Sequence, residues 1–89
     1  TNIGALGMLA GQGPEACRTP ERLPRTIGEI ARDHGLGVGI VTTTRITHAT
    51  PAAMYAHEPF RDWEGHDRDY PTDARRYGCR DIADQLLRF

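Results

Sequence analysis

Apolar positions along the chain follow a helical period in two places and an unbroken run in a third. Ile27, Ile30 and Ala31 share one face of a helix predicted from Ile27 to about His34. Thr26-Ile27-Gly28-Glu29 before it fits a capping box, and Gly35 after it stands where a left-handed C′ residue ends a helix. The run from Leu36 to Thr42, with Gly39-Ile40-Val41 at its centre, predicts a buried strand. A short helix over Pro51 to His57 would start on Pro51, where a missing amide costs nothing. A last helix is predicted from Pro71-Thr72-Asp73 through Arg88. Ala74, Tyr77, Cys79, Ile82, Ala83, Leu86 and Leu87 form its apolar stripe. Residues 2–13 are glycine-rich and read as loop, as does the polar stretch from Arg61 to Tyr70.

The order is thus helix, glycine turn, strand, then a loop carrying three threonines, Arg45, His48 and Thr50. A buried strand that ends in hydroxyl, imidazole and guanidinium groups is how an α/β sheet brings chemistry to its edge. The fold class expected is α/β. One strand cannot make a sheet, so residues 1–89 read as part of a single larger α/β domain.

Composition narrows the function classes. Of 89 residues, 38% are hydrophobic and 26% charged, the balance of a soluble globular protein. A net charge of -1 and a pI near 6.4 argue against a nucleic-acid partner, which would call for a basic face. No apolar run approaches the length of a transmembrane helix, and no signal peptide is visible.

Three apparent motifs carry little. Gly35-Leu36-Gly37-Val38-Gly39 follows a helix and precedes a strand, the reverse of a dinucleotide fingerprint. His48, His57 and His66 recur at equal intervals that no helix or strand brings onto one face. Asp62, Glu64, Asp67 and Asp69 lack the glycine and terminal glutamate of a calcium loop and read as a solvated loop.

Cys17 and Cys79 have no C-x-x-C spacing to suggest metal, and the pair alone leaves free thiols and a disulfide open. A bridge would close a loop of about 60 residues, worth about 4 kcal/mol on the chain-entropy account. Thr50 offers a neutral oxygen of the kind magnesium accepts. Arg61 offers a planar fork that matches two phosphate oxygens and keeps its charge at alkaline pH. Together they suggest a phosphoryl-group site. The plainer alternatives are a helix cap for Thr50 and a surface salt bridge for Arg61.

The string Val38-Gly39-Ile40-Val41-Thr42-Thr43-Thr44-Arg45-Ile46-Thr47-His48-Ala49-Thr50-Pro51-Ala52-Ala53, followed by Tyr55-Ala56-His57, resembles the alkaline phosphatase family. So does Tyr77-Gly78-Cys79-Arg80-Asp81-Ile82-Ala83-Asp84-Gln85-Leu86, which is similar to that family's cysteine-bearing helix. The likeness covers about residues 26 to 88, and Thr1 to Ala10 fits more loosely as the stretch just after the nucleophile.

The resemblance implies a segment of a three-layer sandwich, with a central, mostly parallel sheet flanked by helices. It implies phosphomonoester hydrolysis through a phosphoserine intermediate, with two zinc ions and the serine held by residues outside this stretch. Thr50 falls on the magnesium ligand, Arg61 on the arginine that binds phosphate and the transition state, and His48 on a neighbour that tunes the magnesium site. His57 falls on a structural position beside the site. Cys17 and Cys79 fall on a disulfide pair, which implies an oxidising compartment: periplasmic, secreted or cell-surface. A homodimer is expected of the whole protein, and no activity of this stretch alone. The alternatives are a non-catalytic relative and a small α/β interaction module.

Overall fold

The computed structural model describes residues 5–65 and 72–89, and of residues 72 and 73 the backbone only. The expected N-terminus of the last helix at Pro71, and His66, Asp67 and Asp69, lie outside the described residues.

Helix α1 spans Ile27–Asp33. The Thr26 hydroxyl accepts from the Glu29 N–H at 3.1 Å, and the Glu29 carboxylate accepts from the Thr26 N–H at 2.8 Å, completing the capping box. At the other end the Gly35 N–H reaches the Arg32 carbonyl at 2.9 Å and the Leu36 N–H the Ala31 carbonyl at 3.0 Å. These are the two bonds of a Schellman motif, and Gly35 adopts the φ of 74° it requires. The face through which α1 packs differs from the periodic one. Ile27 and Ile30 are 70% and 47% exposed, whereas Gly28 is buried. A Cβ at Gly28 would collide with the Met54 carbonyl, and the Thr26 hydroxyl donates to that same carbonyl at 2.7 Å. The helix docks backbone to backbone at this point, which only glycine permits.

The expected strand from Leu36 to Thr42 has no regular secondary structure, and only Val38, Ile40 and Thr42 of it are half-buried. Among the described residues no strand lies beside it, and Leu36 and Val41 face outward. Backbone groups of an extended segment form a ladder only against a neighbour. The described β pairing is one antiparallel bridge between Leu6 and Glu58, with both N–H···O bonds at 2.8 Å. The central sheet of the expected α/β class is therefore absent among the described residues.

Helix α2 spans Ala49–Ala52, with His48 at its N-cap. It begins two residues before the expected start, because the orphan amides of a first turn extend to its third position, where Pro51 sits. Turn bonds carry the chain on to Ala56. The expected last helix is two helices, α3 (Thr72–Arg76) and α4 (Ile82–Arg88). Gly78, at φ 76°, closes α3 with a second Schellman motif: its N–H meets the Arg75 carbonyl at 3.0 Å, and the Cys79 N–H meets the Ala74 carbonyl at 2.9 Å. The Asp81 carboxylate then caps α4 through the Asp84 N–H at 2.7 Å. Cys79 lies in this break rather than within a helix.

Two apolar clusters hold these pieces. Leu6, Ala52, Tyr55, Ala56 and Ile82 form one; Trp63, Ala74 and Cys79 form the other. A Cys17–Cys79 disulfide ties the 3-10 turn Pro14–Arg18 to the break before α4. Free thiols are thereby ruled out.

Candidate functional site

His48 and Thr50 stand on the first turn of α2, which buries Ala52 and Pro51 below them. The His48 N–H donates to the Arg45 carbonyl at 2.9 Å. Its side chain does not cap α2, and its Nδ1 is buried with no hydrogen-bond partner among the described residues. Thr50 is exposed and its hydroxyl makes no hydrogen bond among the described residues, so it is not the helix cap. It lines a cleft of about 240 Å³ with Ile40, Val41, Thr42, Pro51 and Met54. Neither His48 nor Arg61 lines that cleft.

Arg61 is exposed on the turn closed by the Trp63 N–H on the Phe60 carbonyl at 3.1 Å. The Phe60 and Trp63 rings, from the two ends of this turn, lie 4.9 Å apart. The Arg61 guanidinium has no ion pair among the described residues, so the surface salt bridge is absent there. A guanidinium offers five donors in a fixed fork, a geometry that suits an anion.

His57 joins three segments of the chain. Its Nδ1 contacts the Gly7 carbonyl at 2.8 Å and its Nε2 the Glu29 carboxylate at 2.7 Å, while its backbone N–H donates to Gln85 at 2.8 Å. Glu29 is pushed up by burial, but the Thr26 amide, then the His57 hydrogen bond and charge, then Arg25, outweigh this and hold it below the usual carboxylate value.

Two carboxylates matter more than the sequence suggests. Glu64, read as part of a solvated loop, accepts from Arg45 Nε at 3.0 Å, Arg45 Nη2 at 2.9 Å and the Thr47 hydroxyl at 2.7 Å. The Arg45 hydrogen bonds hold its pKa below the ordinary value, against the effect of burial, with Thr47 adding to them. Glu58 is fully buried; its Oε2 accepts from Gln85 at 3.1 Å and its Oε1 has no partner. Burial, reinforced by the nearby Asp81 charge and opposed by Gln85, pushes its pKa up to about 9. Neither role has a sequence signal beyond the residue type, because both depend on contacts between segments far apart in the chain.

Among the described residues no group of three or more His, Cys, Asp and Glu side chains is arranged to hold a metal ion. The donors on α2 are one hard hydroxyl oxygen and one imidazole with an unused buried nitrogen. The oxygen suits magnesium, which takes about six oxygen ligands, several of them water. Thr50 fits as one member of such a set and not as the whole of it.

The sequence pattern of the family described as "Alkaline phosphatase" matches residues 1–89. An alkaline phosphatase of Gadus morhua is 57% identical over 87 residues, covering 97% of this chain and 18% of that protein. The tissue-nonspecific isozymes of alkaline phosphatase from Gallus gallus and Homo sapiens are 49% and 46% identical over 87 residues, 97% of this chain. The chain spans 17% and 16% of the length of those two relatives.

Proposed function

The chain belongs to the alkaline phosphatase family, and from that membership we propose that it is a segment of a metal-dependent phosphomonoesterase that acts through a phosphoserine intermediate. Thr50 supplies a hydroxyl oxygen to a magnesium ion, His48 orders the surroundings of that ion, and Arg61 binds the phosphate of the substrate. The observation that carries this proposal is the exposed guanidinium of Arg61, which has no ion pair among the described residues, in a chain whose whole length matches the family.

Arg61 orients two phosphate oxygens through its fork and favours the charge that develops on the transferring group. The Phe60–Trp63 ring contact spans the turn that carries Arg61. Magnesium, when bound, supplies positive charge beside the reacting group and acidifies its water ligands. His48 stands two residues before Thr50 at the N-cap of α2, and its role would be to order that turn rather than to contact the ion. Two zinc ions and the serine nucleophile come from residues outside this stretch, so the segment alone is inactive.

The substrates are phosphate monoesters and the whole protein is a homodimer. The Cys17–Cys79 bridge supports an oxidising location, secreted, periplasmic or at the cell surface. No helix among the described residues is long and apolar enough to cross a membrane. The direct test is Thr50→Val in the full-length protein. Its activity should need more magnesium for half-maximal stimulation, and an unaltered magnesium dependence would refute the role given to Thr50.

A further inference from the structure

One short loop leads into the first turn of α2, which carries the proposed magnesium residue, another carries the proposed phosphate residue, and one side chain joins the two loops. Residues 42–48 have no regular structure, and their internal bonds are local ones: the Thr44 N–H reaches the Thr42 hydroxyl at 3.1 Å and the His48 N–H the Arg45 carbonyl at 2.9 Å. Their anchorage comes from elsewhere. The Tyr55 hydroxyl donates to the Ile46 carbonyl at 2.7 Å. Arg45 and Thr47, on either side of Ile46, both bind the Glu64 carboxylate, Oε1 taking Arg45 Nε and the Thr47 hydroxyl, Oε2 taking Arg45 Nη2. His48 follows directly.

Glu64 lies three residues beyond Arg61, on a segment that is itself fixed. Its carbonyl accepts from the Ala83 N–H at 3.0 Å, and the Trp63 carbonyl accepts from the Ile82 N–H at 3.0 Å, both on the first turn of α4. A planar fork on a carboxylate sets orientation as well as distance. An exposed ion pair is by itself worth little stability. The third bond, from Thr47, and the partial burial of Glu64 make this contact a geometric constraint on two loops at once.

We propose that Glu64 is a positioning residue of the phosphomonoesterase reaction, setting the His48–Thr50 turn relative to Arg61; this rests on the roles proposed above for Thr50 and Arg61. Glu64 itself touches neither metal nor phosphate. A displaced turn would weaken the magnesium and phosphate sites together, whereas a lost surface contact would lower only stability.

The test uses the full-length enzyme and reads three quantities: the magnesium concentration for half-maximal activity, the inhibition constant of inorganic phosphate, and the thermal midpoint. Glu64→Ala should raise the first two together by about 10-fold, the usual scale for a residue that orients a metal site. Arg45→Ala should give the same paired shift, and the double variant should be no worse than either single one, because both remove one contact. Glu64→Gln, which keeps an oxygen for Thr47, should recover part of the loss. A fall in thermal midpoint with both constants unchanged would overturn the proposal. If Glu64→Ala does not fold, Glu64→Gln and Arg45→Lys, which keeps the charge and loses the fork, are read the same way. Arg61→Ala and Thr50→Val serve as references. If they shift phosphate inhibition and magnesium dependence while the Glu64 and Arg45 variants do not, only the positioning role falls. If the references are also silent, the assignments of Thr50 and Arg61 fall with it.

Discussion

His57 Nε2 meets the Glu29 carboxylate at 2.7 Å, linking the segment that leads to Arg61 with the capping box of α1. Glu29 thereby serves two partners, the Thr26 N–H and the imidazole.

Glu29→Ala should destabilise the full-length protein by about 2 kcal/mol, from loss of the cap and a polar ring left without its partner. The Glu29 pKa is depressed in the folded state, so its contribution is present above the ordinary carboxylate value of 4.5 and fades as the pH falls below it. Denaturant titrations at neutral and acidic pH check both points: the gap between wild type and variant should narrow in acid.

Glu58 has the opposite sign. Its folded pKa is raised from 4.5 to about 9, so the folded state holds a proton that the unfolded chain releases. Stability contributed by the neutral form is full below pH 4.5, declines as the pH rises, and is gone above about 9. Glu58→Gln keeps the shape without the charge. Its thermal midpoint should gain on the wild type steadily over that interval and stay level beyond it; a pH-independent difference would show that Glu58 is not protonated when folded.

The Cys17–Cys79 bridge spans 62 residues of sequence, and its removal by Cys79→Ser should cost about 2–5 kcal/mol. Thermal melts with and without a reductant provide the check. The wild-type midpoint should fall on reduction and that of the variant should not move.

Gly28→Ala should be destabilising although alanine favours helices, because the added methyl meets the Met54 carbonyl and forces α1 away from it. A circular-dichroism melt of the variant should show a lower midpoint, and an unchanged or higher one would mean that α1 is free to shift.

How much of this was legible in the sequence depended on whether the cause was local. The α1 cap and the Gly35 stop are set by residues within a few positions of each other, and both stand where the sequence put them. The break at Gly78 was hidden because Ala74, Cys79 and Ile82 keep helical spacing across it and remain buried. A periodic stripe cannot distinguish one helix from two that each bury one side, here in two different clusters. The segment from Leu36 to Thr42 has a strand's composition, but a strand also needs a neighbour, which no residue in the run specifies. At the site, the resemblance identified Thr50, His48 and Arg61 as candidates. Glu64 was passed over because its partners Arg45 and Thr47 are remote in sequence and its own neighbours are polar.

The central claim is that Arg61 binds the phosphate of the substrate. Inhibition of the full-length enzyme by inorganic phosphate tests it most directly. Arg61→Ala should raise the inhibition constant about 10- to 100-fold, the loss expected when hydrogen bonds to a charged group are removed. A constant equal to that of the wild type would contradict the claim.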